Sequence, residues 1–105
     1  MNTGEYNKIT AQEAKAIIDS EEVIILDVRT QAEYDEGHIE NAVLLPVTDI
    51  KSMAENILVD KNGKILVYCR SGNRSATASQ TLIEMGYTNI YDFGGIADWP
   101  YEIVK

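Results

Sequence analysis

Two short apolar runs constrain the fold of this chain more than any other feature. Residues 23–26 (Val-Ile-Ile-Leu) and residues 65–68 (Ile-Leu-Val-Tyr) contain no charged side chain. A strand with one solvated face alternates apolar and polar residues, whereas a strand that is buried on both faces is continuously apolar. We therefore expect both runs to be central strands of a sheet that is covered on its two faces.

Helical patterns lie between and beyond these strands. Four stretches have helical patterns: residues 10–18, residues 30–37, residues 50–57 and residues 74–86. The patterns are capping boxes, apolar residues at helical spacing and glycines that end a helix. Residues 43–45 and residues 90–91 have the pattern of two further short strands. Strands that alternate with helices predict an α/β domain with a mainly parallel sheet that is flanked by helices on both faces.

The length of the chain fits one such domain. A chain of 105 residues has the usual size of a single folding unit, and no linker, repeat or low-complexity segment divides it. We therefore expect one domain over residues 1–105. The polar residues 1–8 lack the apolar stretch of a signal peptide, and no segment approaches the roughly 18 apolar residues of a membrane span.

Net charge and cysteine content narrow the range of functions. The formal net charge of −8 argues against general nucleic-acid binding, which requires a basic surface. The only cysteine, Cys69, cannot form an internal disulfide, so a reducing compartment such as the cytoplasm suits the chain best. One cysteine and one histidine, His38, cannot supply the four ligands of a usual metal site, and we expect no metal.

The two apolar strands are followed directly by Asp27 and by Cys69. Ligands of open parallel sheets bind at the carboxyl ends of strands, which is where Cys69 is expected to lie. The segment that follows leads into a predicted helix, whose free N–H groups and dipole favour a negative charge. Gly72 and Asn73 allow the backbone to turn so that successive amides face inward. This setting predicts a cysteine with a lowered pKa.

All three arginines of the chain follow these two strands. Arg29 comes after the first strand, and Arg70 and Arg74 come after the second. The guanidinium group suits bidentate contact with oxyanions, so the arginines predict a locally positive site on an acidic protein. The plainer alternative is that Cys69 is a small buried hydrophobic residue at a strand end, as many free cysteines are.

Three segments resemble, in this order, the signatures of the rhodanese-like domain family. They are Leu26-Asp27-Val28-Arg29 with Glu33-Tyr34 and Gly37-His38-Ile39, then Cys69-Arg70-Ser71-Gly72-Asn73-Arg74-Ser75, and finally Gly94-Gly95-Ile96-Ala97-Asp98-Trp99. The family often has Pro-Gly-Ala where this chain has Glu40-Asn41-Ala42. Asparagine can take the left-handed conformation of that glycine. The resemblance implies a five-stranded parallel sheet flanked by helices.

The resemblance also implies a sulfurtransferase that works in two steps. A thiolate would attack the outer sulfur of thiosulfate or of a related persulfide donor, and an external thiol, protein acceptor or cyanide would then remove that sulfur. The implied site has Cys69 as the nucleophile and Arg70, Ser71, Gly72, Asn73 and Arg74 as substrate-binding residues. The loop amides would hold the outer sulfur. No metal or organic cofactor is required.

Asp27, Arg29 and His38 are supporting residues in this interpretation. We expect Asp27 to accept hydrogen bonds from neighbouring backbone, and Arg29 to pair with a nearby carboxylate such as Glu33. His38 is mainly structural in the family, so the resemblance implies that the loop, and not a Cys–His pair, activates the thiol.

Two other functions stay open at this point. A catalytically silent rhodanese-like module would bind or regulate a partner, although silent copies usually lack the cysteine. A phosphatase or arsenate reductase of the related dual-specificity type would use a C-x5-R loop, whereas Cys69 and Arg74 form a C-x4-R loop.

Overall fold

Five strands form one parallel sheet in the computed structural model, which describes residues 5–105. The strands are β1 Glu5–Lys8, β2 Ile24–Asp27, β3 Val43–Leu44, β4 Ile65–Cys69 and β5 Asn89–Gly95. Their order across the sheet is β1-β5-β4-β2-β3, and every pairing between them is parallel. The predicted α/β class and five-stranded parallel sheet are confirmed. Residues 1–4 of the polar segment that lacks a signal-peptide pattern lie outside the described residues.

Four helices connect the strands at the predicted places. They are α1 Ala11–Ser20, α2 Gln31–Glu36, α3 Ile50–Ile57 and α4 Asn73–Glu84, with short 3₁₀ turns at Val47–Asp49 and Ile96–Asp98. Both capping boxes are present, at Thr10 with Glu13 and at Thr30 with Glu33, and each satisfies N–H groups that a helix start leaves free. Within residues 5–105, no helix has the length and apolarity needed to cross a membrane.

The side chains of β4 alternate between two buried clusters. Ile65, Val67 and Cys69 pack in the cluster that includes residues of α3 and α4, whereas Leu66 and Tyr68 pack in the cluster that includes Ala14 of α1 and Trp99. None of the five side chains of this strand is more than 1% exposed. Burial on both faces explains the continuous apolar run, and each large apolar side chain contributes about 1.5–3 kcal/mol.

The first strand, β1, was not predicted. Its sequence, Glu-Tyr-Asn-Lys, has no apolar run, and it lies at the edge of the sheet with β5 as its partner. An edge strand is held by backbone pairing on one side, so its side chains need not be apolar. This pairing places Tyr6 and Lys8 beside Ile90 and Asp92 of β5.

β5 is longer than the two residues that the sequence indicated, and it contains an irregularity beside the end of β4. Val67 lies opposite Asp92, but Cys69 lies opposite Gly95, so β5 has one extra residue in this interval. Such a bulge bends the strand and redirects its side chains. As a result, the end of β5 lies against the chain segment that follows Cys69.

Candidate active site

The segment after β4 turns sharply around the sulfur of Cys69. The strand ends at Cys69 and α4 begins at Asn73, so three residues make the connection. Gly72 has a φ of 107°, a left-handed conformation that favours glycine, and its N–H donates a hydrogen bond to Cys69 Sγ at 3.0 Å. The turn therefore directs a backbone donor at the sulfur.

Opposing effects act on the pKa of Cys69. Burial raises it, because a thiolate loses hydration inside the protein. The backbone N–H and the hydroxyl of Ser75, followed by the N–H groups of Gly72 and Ser71, stabilise the thiolate and outweigh burial. The pKa of Cys69 is consequently lower than that of an ordinary cysteine. An apolar pocket would raise this pKa, so the environment of Cys69 is not that of an inert, buried hydrophobic side chain.

The end of β5 fixes the loop from outside. A Cβ atom added to Gly95 would overlap the backbone carbonyl of Arg70, so that only glycine allows this approach. The same carbonyl accepts a hydrogen bond from Ala97 N–H at 3.1 Å. The closing Gly-Gly segment thus contributes to the site through close backbone packing.

The two loop arginines have different surroundings. Arg74 forms a bidentate ion pair with Glu33 of α2, with Nη1–Oε1 and Nη2–Oε2 distances of 2.6 and 2.9 Å. Arg70 is exposed, and within residues 5–105 it forms no ion pair. Arg70 is therefore the loop guanidinium that is available to an incoming anion, while Arg74 joins α2 to the start of α4.

The family profile of the rhodanese-like domain matches residues 10–101. This chain belongs to the rhodanese-like domain family.

Named relatives agree with this assignment. The thiosulfate sulfurtransferase PspE of Escherichia coli strain K12 is 36% identical over 80 residues, which cover 76% of this chain and 77% of PspE. The thiosulfate sulfurtransferase GlpE of Coxiella burnetii is 35% identical over 95 residues, which cover 90% of this chain and 87% of GlpE. A solved structure of a rhodanese-related protein from Thermoplasma volcanium has a TM-score of 0.81 and 29% identity, and it covers 94% of this chain and 98% of that protein.

In this rhodanese-like domain, Asp27 and Arg29 form a buried ion pair at the end of β2. Arg29 Nη2 lies 2.7 Å from Asp27 Oδ2 and also donates to the carbonyl of Gly37 at 2.7 Å. Arg29 pairs with a nearby carboxylate, as predicted, but the suggested partner Glu33 is wrong: the partner is Asp27, two residues away, and Glu33 pairs with Arg74. Burial lowers the pKa of Arg29, but the hydrogen bonds and charge of Asp27 outweigh this and raise it.

Asp27 also links β2 to β4. Its carboxylate accepts a hydrogen bond from the backbone N–H of Arg29 at 2.9 Å, as expected, and another from the Tyr68 hydroxyl at 2.7 Å. The Tyr68 hydroxyl in turn accepts from Ile39 N–H at 3.1 Å. This role of Tyr68 could not be predicted, because the residue lies in an apolar run with no polar pattern around it. The network holds the carboxyl ends of the two central strands together beneath the cysteine loop.

The contacts of His38 are with α2 and with the C-terminal segment. Its ring stacks on Tyr34 with 3.7 Å between ring centroids, and Nδ1 lies 2.9 Å from the Tyr34 carbonyl oxygen. Its backbone exchanges two hydrogen bonds with Val104, each 2.8 Å long. These contacts are structural. In the described part of the chain, no group of three or more His, Cys, Asp or Glu side chains is arranged to hold a metal ion.

We predict that the Glu33–Arg74 pair makes folding sensitive to acid. The hydrogen bonds from Arg74 lower the pKa of Glu33 to about 2, against roughly 4.3 for an unfolded glutamate. A lowered native pKa stabilises the fold above the unfolded pKa, and this stabilisation is lost as pH falls through the native value. The free energy of unfolding in urea of wild type and Glu33→Gln should therefore differ most near neutral pH and converge toward about pH 2.

Glu36→Gln is the matched control, because Glu36 is exposed in the same helix and forms no ion pair within residues 5–105. It should leave the free energy of unfolding close to that of wild type at each pH. A Glu33→Gln difference that stayed constant from neutral pH to about pH 2 would contradict the role of this pair.

Proposed function

We propose that this chain is a thiosulfate sulfurtransferase in which Cys69 carries the transferred sulfur as a persulfide. The main support is the position of Cys69 Sγ, which lies at the carboxyl end of the central strand and accepts a hydrogen bond from Gly72 N–H at 3.0 Å. The lowered pKa of Cys69 increases the fraction of the thiolate, which is the form that attacks sulfur.

In the first half-reaction, which we call loading, the Cys69 thiolate attacks the outer sulfur of thiosulfate. A new S–S bond forms to Sγ, and the sulfur–sulfur bond of thiosulfate breaks with its electron pair going to sulfite. The products are the Cys69 persulfide anion and sulfite, so no proton or external electron is needed. A persulfide donor reacts in the same way and releases a thiolate in place of sulfite.

In the second half-reaction, which we call unloading, an external nucleophile attacks the outer sulfur of the persulfide. The bond between this sulfur and Sγ breaks, and its electron pair restores the Cys69 thiolate. Cyanide becomes thiocyanate, and a thiolate of a small molecule or protein becomes a persulfide. Because Cys69 is the only cysteine of the chain, the acceptor must be external.

The loop residues divide the work of holding these anions. The N–H groups of Ser71 and Gly72 stabilise Sγ, and those of the turn up to Asn73 are suited to the outer sulfur of the persulfide. Arg70, which has no carboxylate partner within residues 5–105, binds the sulfonate end of thiosulfate. Arg74, which Glu33 holds in place, contributes its positive charge near the sulfur.

The supporting residues act through the scaffold. Asp27 and Arg29 hold the ends of β2 and β4 together, and His38 holds α2 to the C-terminal segment. The two sulfur-transfer steps as proposed use no metal and no organic cofactor. A lone thiol stays free best in a reducing compartment, so we propose that this activity is cytoplasmic.

We predict that the purified protein gains the mass of one sulfur atom when it is incubated with thiosulfate. Added cyanide should remove this mass and yield thiocyanate. Cys69→Ser should gain no sulfur, because a serine hydroxyl at neutral pH is not the anionic nucleophile that the reaction needs. Intact-mass spectrometry and a thiocyanate assay measure both results.

A folded wild-type protein that gains no sulfur from thiosulfate or from a persulfide donor would contradict the proposal and favour a silent binding module. Hydrolysis of an aryl phosphate without thiocyanate formation would indicate the phosphatase alternative.

We predict that Arg70→Ala raises the KM for thiosulfate by about tenfold, the equivalent of one charge-assisted hydrogen bond. Lys51→Ala is the matched control: Lys51 is exposed in α3, forms no ion pair within residues 5–105, and its replacement changes the net charge equally. Its KM should stay close to that of wild type. Equal effects of the two substitutions in steady-state assays would show that Arg70 acts only through net charge.

A further inference from the structure

Asp92 of β5 is a buried carboxylate that the proposed mechanism leaves unused. It is 1% exposed. Its Oδ1 accepts hydrogen bonds from the Ser75 hydroxyl at 2.8 Å and from Gly94 N–H at 2.9 Å, and its Oδ2 accepts one from the Tyr6 hydroxyl at 2.6 Å. All three partners donate, which suits an ionised carboxylate.

Asp92 differs from Asp27 because it has no ion-pair partner within residues 5–105. Asp27 is equally buried but pairs with Arg29, whereas no ion pair within residues 5–105 includes Asp92. A buried charge is unfavourable unless it is paired or fully hydrogen-bonded. Three hydrogen bonds satisfy the carboxylate of Asp92 in place of an ion pair. The nearest cation in the strand register is the exposed Lys8, which lies opposite Asp92 in β1.

Ser75 connects Asp92 to the reactive sulfur. A serine hydroxyl has one proton to donate, and its shortest recorded contact is with Asp92 Oδ1 at 2.8 Å, compared with 3.1 Å to the carbonyl of Gly72 and 3.4 Å to that of Gly94. The same hydroxyl is among the groups that stabilise the Cys69 thiolate. Asp92 thus competes with the sulfur for one proton.

We propose that Asp92 is a positioning residue that sets the balance between the loading and unloading of sulfur on Cys69 by holding the Ser75 hydroxyl. This inference rests on the proposed sulfur transfer. When the hydroxyl donates to Asp92, the sulfur anion has one donor fewer. The carboxylate charge, which forms no ion pair within residues 5–105, also acts on the sulfur through a poorly screened interior. Both effects keep the Cys69 thiolate more basic than the loop amides alone would make it.

Basicity of the thiolate affects the two half-reactions in opposite directions. A more basic thiolate is the better nucleophile, with a Brønsted coefficient of about 0.4–0.5, but it is the poorer leaving group. In loading, Cys69 is the nucleophile; in unloading, it is the leaving group. Removal of the Asp92 charge should consequently slow loading and accelerate unloading. A residue that only held the fold together would slow both.

Other charged and titratable groups surround this network and stay unchanged when Asp92 is replaced. They are Tyr6 and Lys8 of β1, Arg70 and Arg74 of the loop with Glu33 of α2, the Asp27–Arg29 pair of β2, and the exposed Asp98 after β5. Burial, together with the hydrogen bond to Asp92 and its charge, raises the pKa of Tyr6 to about 12, so its hydroxyl stays a donor. The effect of one substitution at Asp92 can therefore be read separately.

The experiment compares Asp92→Asn with wild type in three measurements. These are the single-turnover rate of loading by thiosulfate, the single-turnover rate of unloading by cyanide, and the pH profile of Cys69 alkylation. At alkaline pH, where the thiol is ionised in both proteins, loading should fall on the order of twofold and unloading should rise on the order of twofold. The midpoint of the alkylation profile should move to lower pH. The alkylation profile requires no sulfur transfer, so it tests Asp92 even if the proposed function fails.

Two further variants complete the design. Asp98→Asn makes the same chemical change at an exposed position after β5 and should leave the alkylation midpoint unchanged. Tyr6→Phe removes one donor from Asp92 but keeps its charge, so it should shift all three measurements opposite to Asp92→Asn. Tyr6 is 36% exposed, so we expect Tyr6→Phe to fold, which keeps the inference testable if Asp92→Asn does not fold.

An unmoved or raised alkylation midpoint in Asp92→Asn, or slowing of both half-reactions, would overturn the role of Asp92. If Asp92→Asn does not fold, an unmoved or lowered midpoint in Tyr6→Phe overturns it instead. If the wild-type protein loads sulfur and Asp92→Asn loads and unloads it at the same rates as wild type, this inference alone is refuted. A wild-type protein that never loads sulfur refutes the proposed function.

Discussion

The hydrogen bond from Gly72 N–H to Cys69 Sγ, 3.0 Å long, is the interaction on which the rest of the site depends. It requires the left-handed turn at Gly72, which starts α4 at the next residue. The same turn places the N–H and hydroxyl of Ser75 near the sulfur. It also brings the carbonyl of Arg70 against β5, where Gly95 must lack a side chain. A geometry that stabilises one sulfur anion thus fixes the sequence on both sides of it.

The site stabilises an anion although the formal net charge of the chain is −8, because short-range donors outweigh distant charges. Neutral amide and hydroxyl groups act on the sulfur directly, whereas exposed carboxylates are screened by water. Glu33 occupies Arg74, so that Arg70 is the loop cation available to a donor. In this arrangement the buried charge of Asp92 opposes the loop amides, and the reactivity of Cys69 reflects the difference between the two effects.

Features that burial imposes on the sequence could be predicted, and features that depend on distant partners could not. The buried strand at residues 65–68 and the Thr10 and Thr30 capping boxes follow from local patterns. The strand Glu5–Lys8 has no such pattern, because backbone pairing with β5 holds it. Asp92 reads as an ordinary polar residue, since its partners Tyr6 and Ser75 lie 86 and 17 residues away in the chain. The sequence did not show whether Asp27 or Glu33 is the partner of Arg29, because both lie near it in the chain. The fold brings Arg74 to Glu33 and leaves Asp27 for Arg29.

Titration of the Cys69 thiol in the native and the urea-unfolded protein tests the central claim most directly. The rate of alkylation as a function of pH gives the pKa of the thiol in both states, and the unfolded chain supplies the reference for the same residue. If the loop stabilises the sulfur anion, the native midpoint lies below the unfolded one. A native midpoint equal to or above the unfolded midpoint would show that burial outweighs the loop donors, and the account of the site would be contradicted.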